Sequence, residues 1–324
     1  MLARRFEAVK PLMRPVRDYA SYAPYRIRAT LGRGVWSSAS PPVFLVGCGR
    51  SGTTLLGEIL SLHPSVRYLY EPRERWAAVS RATDTALAFS RSGAHCFMSA
   101  SDADAPARRR FARVMKPPSG KVFVEKSPTN ALRIGFLDGL AAEARFIHIV
   151  RDGDDVVRSI ARKAARTRRV VGRGMVNDWW GSNDSKWRLM RDEGAAAGYY
   201  ADEVALLEGD QDRAAYEWLV SVGEVDRWRP SLADRLHEIT YRDLTESPHQ
   251  VVSELAGFLG IASPDRWVEE ATSIVKPMRR NDGPSIVLPR GMAEDFNGLQ
   301  RRYGFEGRVG AAAALQARNA AVSR

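Results

Sequence analysis

The sequence predicts an α/β domain built on a central, mainly parallel sheet of five strands. From Pro41 onward, short apolar runs alternate with stretches of helical periodicity, the pattern of strands joined by crossover helices. A glycine-rich segment, Gly47 to Gly52, stands between the first apolar run and the first helical stretch, where such sheets hold anions. Hydrophobic residues at 44% and charged residues at 27% can furnish a packed core and exclude a wholly disordered or collagen-like chain.

In chain order the predicted strands are Val43 to Val46, Val66 to Tyr70, Val122 to Val124, Arg145 to Val150 and Leu236 to Thr240. Helices are expected near 53–62, 130–142 and 154–166. Ser247 and Pro248 supply an N-cap and a first-turn proline; Val251, Val252, Leu255, Phe258 and Leu259 then recur at helical spacing until Gly260. Between about 167 and 210 the periodicity weakens, which marks a lid or acceptor-binding insertion rather than a second domain. Residues 270–324 read as a C-terminal loop region. Although 324 residues would make two average domains, the expectation is one enlarged domain over 41–324 preceded by a basic arm, with no solenoid repeat.

Charge is unevenly spread. Residues 1–40 carry eight Arg or Lys against Glu7 and Asp18, so the arm accounts for +6 of the net +11. A nucleic-acid-coating protein would line its folded domain with cations, so no nucleic-acid partner is expected. The arm, with Leu2, Phe6, Val9, Leu12 and Met13 on its apolar side, suits either a solvated tail or a membrane-surface segment; an organelle transit peptide is a further reading. No apolar run approaches the ~20 residues of a membrane span, and charges interrupt the N-terminus where a signal peptide needs an apolar stretch. Cys48 and Cys96 allow one disulfide at most, and a crosslink at Cys48 would obstruct the glycine-rich turn. A reducing, cytoplasmic setting with peripheral membrane contact is the expectation.

Three ligands suit the loop Gly47-Cys48-Gly49-Arg50-Ser51-Gly52-Thr53-Thr54. It satisfies G-x-G-x-x-G, and Glu71 lies 19 residues after Gly52 at the end of the next strand, as an NAD(P)-dependent oxidoreductase requires for ribose. It matches the triphosphate loop G-x-x-x-x-G-K-[ST] except that Thr53 replaces the lysine, which leaves β- and γ-phosphates without their cation. One cation, Arg50, and three hydroxyls, Ser51, Thr53 and Thr54, suit a more highly charged terminal phosphate. A non-catalytic nucleotide-binding scaffold at a membrane surface is a third class.

CGRSGTTLL, then HPSVRYLYE, FVEKSP, FIHIVRDGDDVVRSI and YRDLTESP resemble, in the same order and at similar spacing, the sulfotransferases that use 3′-phosphoadenosine 5′-phosphosulfate (PAPS). The resemblance spans residues 41 to about 260, and the glutamate after the HP segment is similar to the branch of bacterial, tyrosylprotein and heparan sulfate enzymes. It implies a P-loop NTPase-like three-layer fold. It also implies sulfonate transfer from PAPS to an acceptor hydroxyl on a glycan, lipid, peptide tyrosine or small alcohol, with release of adenosine 3′,5′-bisphosphate. On that resemblance Ser51, Gly52, Thr53 and Thr54 hold the 5′-phosphate, Arg50 covers the bridging and sulfonate oxygens, and Lys126 neutralises the leaving phosphate with support from Ser127. Arg151 and Ser159 contact the 3′-phosphate and Tyr241 lies near the adenine. Glu71 is the general base; cytosolic small-molecule enzymes of this kind place a histidine two residues past the strand-3 lysine, where this chain has Pro128. No metal is required and no ligand cluster is evident.

Plainer readings exist for most of these residues. Glu71 can pair with Arg73 or Arg75, Lys126 with Glu125, and Arg151 with Asp152 or Asp155. His148 reads as a core histidine and His63 as a helix end. Trp179, Trp180 and Trp187, with Tyr199 and Tyr200 nearby, either line an acceptor pocket or pack the core. Lys276, Arg279 and Arg280 before Gly283 resemble a basic loop over the 3′-phosphate, with altered spacing.

Overall fold

The five apolar runs pair side by side and all in parallel. In the computed structural model, which describes residues 21–32, 40–89, 92–172, 174–278 and 283–312, β1 (Val43–Val46), β2 (Val66–Tyr70), β3 (Val122–Lys126), β4 (Arg145–Val150) and β8 (Leu236–Thr240) form one sheet in the order β2-β3-β1-β4-β8. Residue alternation along β1 sorts the two faces. Val43 and Leu45 face a core layer with Leu56, Ile59 and Leu60 of α2 (Thr53–Ser61), α10 (Pro248–Leu259) and α11 (Asp265–Ser273). Phe44 and Val46 face the opposite layer, with Trp76 of α3 (Arg73–Val79), Phe111 of α4 (Ala105–Val114) and Phe136 of α5 (Ile134–Leu140). The result is a three-layer α/β fold, with helices on both faces of a five-stranded parallel sheet.

A third cluster lies beyond the carboxyl ends of the strands, where α6 (Gly153–Thr167) packs on α8 (Asp210–Leu232) and α12 (Arg290–Arg302). Trp218 of α8 meets Phe296 of α12 with ring centroids 4.4 Å apart. The segment expected as an insertion is built from an antiparallel sheet of β5 (Arg169–Val171), β6 (Gly174–Asn177) and β7 (Gly181–Ser182), followed by α7 (Ser185–Ala196). The C-terminal region contains α12 and a short parallel pair, β9 (Val287–Leu288) with β10 (Gly310–Ala311), where loops alone were expected.

Two expectations need adjustment. Residues 21–31 are helical (α1) and not a free arm: Tyr22 and Ala29 are buried, Tyr22 stacks on Phe89 at 5.1 Å, and Arg113 Nη1 donates to the Ala29 carbonyl at 2.9 Å. The membrane-surface residues Leu2, Phe6, Val9, Leu12 and Met13 lie outside the described residues. The helix expected over 130–142 is a tight 3-10 turn, Pro128–Leu132, and then α5, broken at Arg133, whose buried guanidinium donates to the carbonyls of Cys96 and Thr83, each at 3.2 Å. Both cysteines are free, buried thiols; burial foremost pushes Cys48 well up and Cys96 up to about 12. Among the described residues, no helix is long and apolar enough to cross a membrane.

Candidate active site

Because every strand of the main sheet runs the same way, the residues that follow them meet at one edge. The loop Gly47–Gly52 follows β1 there and turns into α2 through Gly52, at φ 100°. A Cβ on Gly47 would stand 2.5 Å from the Ile149 carbonyl oxygen, and one on Gly52 would enter the Tyr241 ring, 2.8 Å from Cε2. Both glycines therefore allow the loop to close tightly against β4 and the start of α9 (Tyr241–Glu246). The first backbone N–H groups of α2 face the loop's mouth unclaimed by the helix itself. Ser51 is buried, and its Oγ has no hydrogen-bond partner among the described residues.

Two residues beside this loop hold a backbone conformation that side chains other than glycine rarely adopt: Arg50 at φ 73° and Glu71 at φ 41°. Glu71 follows β2. Its N–H donates to the Lys126 carbonyl at 2.8 Å, and its Oε1 accepts Lys126 Nζ at 2.6 Å. The same ammonium reaches Thr54 Oγ1 at 3.3 Å and lies 4.9 Å over the Tyr70 ring. Of the expected pairings, Glu71 thus takes Lys126 rather than Arg73 or Arg75. Glu125 points to the other face of β3, where it accepts from Trp76 Nε1 at 2.8 Å, Ser127 Oγ at 2.6 Å and Asn130 Nδ2 at 2.6 Å. Burial foremost raises its carboxyl above the usual range, against the lowering effect of those donors. Ser127 consequently supports Glu125, not Lys126 as expected.

The third strand-end group follows β4. Arg151 Nη2 donates to Asp155 Oδ2 at 3.0 Å, and its guanidinium lies 4.7 Å over the Tyr241 ring. Its carbonyl accepts from Trp218 Nε1 at 3.2 Å, which ties the strand end to α8. Ser159, in the second turn of α6, accepts from Arg50 Nε at 3.0 Å, so it joins the loop rather than Arg151. All ten expected site residues therefore gather around one loop, in three linked groups: Arg50 with Ser159, Glu71 with Lys126 and Thr54, and Arg151 with Tyr241 and Gly52, while Ser51 and Thr53 form the loop floor.

The insertion contributes a residue that sequence reasoning left undecided. Trp180 and Trp187 are buried, with rings meeting edge-on at 6.1 Å, and belong to the core. Trp179 is only partly buried and lies against Gly49, where an added Cβ would stand 2.5 Å from its Cη2. Its Nε1 donates to Glu217 Oε2 at 2.7 Å, and Glu217 Oε1 accepts Lys186 Nζ at 2.6 Å. The one sequence signal for this contact was a tryptophan in a polar stretch. Tyr199 and Tyr200 donate instead to Glu224 and Asp295. His63 caps a helix end through Ser65 N and the Ala262 carbonyl, and His148 is a core residue whose Nδ1 lies 3.0 Å from Glu238 Oε1. Arg279 and Arg280 lie outside the described residues. Among the described residues no group of three or more His, Cys, Asp or Glu is placed to hold a metal ion.

A parallel sheet with a glycine-rich loop and cations at its strand ends presents an edge suited to an anion. The model of the Sulfotransferase family matches residues 41–265, and the chain belongs to that family. It is a transferase of the sulfonate-moving kind. The sequence comparison with curated proteins gave no match. Similar solved structures include the sulfotransferase domain from the curacin biosynthetic pathway, at 16% identity over 83% of this chain and 99% of that one, TM-score 0.46. Sulfotransferase STF9 from Mycobacterium avium is similar at 14% identity over 83% and 78%, TM-score 0.47. The sulfotransferase from Alicyclobacillus acidocaldarius is similar at 16% identity over 83% and 97%, TM-score 0.44.

Proposed function

We propose that this enzyme transfers sulfonate from PAPS to an acceptor hydroxyl and releases adenosine 3′,5′-bisphosphate. The observation that carries the reading is the Lys126 ammonium, held 2.6 Å from Glu71 Oε1 and 3.3 Å from Thr54 Oγ1, which joins a carboxylate to an anion loop. The residues fit the donor. Buried Ser51 Oγ has an unused hydrogen-bonding capacity beside the N-terminus of α2, as a 5′-phosphate cradle needs. Arg50, held by Ser159, and Lys126 supply positive charge at the loop's mouth, and Arg151 supplies a second cationic station on the side of Tyr241.

In the reaction the acceptor oxygen attacks sulfur in line with the bridging oxygen. The new S–O bond forms as the sulfur–bridging-oxygen bond breaks, and that electron pair stays on the departing 5′-phosphate. Glu71 takes the acceptor's proton; Lys126 and Arg50 stabilise the growing charge on the leaving phosphate. Lys126 must then turn from Glu71 toward the phosphate, a short swing because Thr54 is already within its reach. The backbone strain at Arg50 and Glu71 supports the assignment, since such conformations persist where the surroundings hold a working side chain in place. The NAD(P)-dependent oxidoreductase reading is not favoured: the family match runs against it, and Glu71 is bound to Lys126 where that reading needs it on ribose.

A thermal-shift panel tests the donor. Adenosine 3′,5′-bisphosphate at about 100 times its Kd should stabilise the fold by ~2.7 kcal/mol, with no effect of NAD or ATP at equal concentration. Transfer of label from PAPS into host lipid or glycan extracts then identifies the acceptor; stabilisation by NAD alone would overturn the reading.

A further inference from the structure

The β5–β6 ribbon carries three exposed large apolar side chains, among them the most exposed one of the described residues. Val170 is 79% exposed, Val171 49% and Met175 37%. Val170 pairs with Met175 across the ribbon, so both lie on one face, while Val171 points to the other. Its base is firmly held. Asn177 Nδ2 donates to the Ala164 carbonyl of α6 at 3.0 Å, and Asn183 Oδ1 accepts from Met175 N at 2.8 Å. The approach is cationic, for no carboxylate occurs between Asp155 and Asp178. Arg162, Lys163, Arg166, Arg168 and Arg169 lead into the ribbon from the exposed end of α6; Arg168 pairs with Asp210 and Arg169 with Asp178.

We propose that the end of the β5–β6 ribbon docks on an anionic bilayer surface. Apolar side chains on both faces of a ribbon end suit an environment that surrounds it; a flat protein surface would cover only one face. Three-residue strands at ~3.3 Å per residue reach about 10 Å, comparable with the depth at which interfacial segments seat their apolar atoms. The cationic approach is complementary to anionic headgroups, and cations near such a surface each strengthen binding about fivefold. A polyanionic glycan would satisfy the arginines and leave the valines without a role. Asn177, which ends the ribbon, also accepts from Trp179 N at 2.8 Å, so the docked element is joined by two residues to the tryptophan against Gly49. The proposal concerns binding alone and holds whatever the donor or acceptor.

Flotation of the full chain with vesicles of neutral phosphatidylcholine, with and without about one quarter phosphatidylserine, is the test. The protein should float with the anionic vesicles and be released by 0.5 M salt. Val170→Asp/Val171→Asp should lower the partition coefficient at least about tenfold, and Lys163→Glu/Arg166→Glu by a similar or larger factor. Val287→Asp, an equally polar change at an exposed apolar site elsewhere, should bind as the parent does. An unchanged melting temperature shows each variant folded. Undiminished flotation of Val170→Asp/Val171→Asp would overturn the proposal and assign any binding to residues 1–20; so would an equal loss in Val287→Asp, or capture by an anionic polysaccharide resin without flotation.

Discussion

Lys126 and Glu71 are joined twice, by a 2.6 Å ion pair between their side chains and by a 2.8 Å hydrogen bond from the Glu71 N–H to the Lys126 carbonyl. The second bond continues the β2–β3 ladder by one residue, so the carboxylate's position is set by the sheet and not by a loose loop. Glu71→Gln keeps shape and hydrogen bonding but cannot take a proton. Sulfonate transfer should fall ~10²- to 10⁴-fold, while calorimetric titration with adenosine 3′,5′-bisphosphate shows parental affinity. A variant that transfers at the parental rate would remove Glu71 as the base.

Arg151 is braced by Asp155 at 3.0 Å and by the Tyr241 ring at 4.7 Å, which fixes a guanidinium beside the loop without using all five of its N–H donors. If it reads the 3′-phosphate, the parent prefers PAPS over adenosine 5′-phosphosulfate and Arg151→Ala loses most of that preference. A charged hydrogen bond of ~1.5–3 kcal/mol corresponds to a change of about 10- to 150-fold in the ratio of kcat/KM values. Retention of the full preference would transfer the role to another cation, with Arg279 and Arg280 the first to test.

The sheet was legible because each central strand is a run of apolar residues, buried on both faces. Its limits were less so. β3 runs two residues past Val124, because Glu125 and Lys126 stay paired with Phe44 and Leu45 of β1 although both are charged. α8 went unread because Ala214 to Val222 are buried all round, which erases the 3.6-residue alternation that marks a surface helix. Site residues at strand ends could be placed from sequence once the strands were known, since a parallel sheet delivers them to one edge. Their pairings could not: Arg50 and Ser159 meet across 109 residues, and only the packing of α6 decides that contact.

Two glycines should respond in opposite directions to alanine. Gly52 combines φ 100° with the Tyr241 ring against its Cα, so Gly52→Ala both strains the loop and displaces Tyr241. A loss of ~1–3 kcal/mol in chemical denaturation is expected, together with weakened bisphosphate binding. Gly257 lies exposed within α10, and an added Cβ there meets nothing within 4 Å. Gly257→Ala should stabilise the fold by ~0.5–1 kcal/mol and leave nucleotide affinity unchanged. If Gly52→Ala kept parental stability and affinity, the tight closure of loop on Tyr241 would have no energetic weight.

Acid should weaken the fold through histidine before the exposed carboxylates titrate. His148 is wholly buried against Glu238, with Arg229 and Tyr303 on the same carboxylate, and burial foremost, then the Arg229 charge, lowers it to about 3. In the unfolded chain it takes a proton near its ordinary value of 6.5. The folded-state value is depressed, so the unfolded state binds more protons between pH 6.5 and about 3 and stability falls with pH across that window. Each unit contributes up to ~1.4 kcal/mol, or about 2 kcal/mol between pH 7 and pH 5. His63 and His237 are also lowered chiefly by burial and act in the same direction. His148→Gln retains an N–H donor for Glu238 without a titrating group. Denaturation curves at pH 7 and pH 5 should therefore lie closer together for the variant than for the parent by about 2 kcal/mol; an unchanged gap would mean that His148 takes its proton inside the folded core.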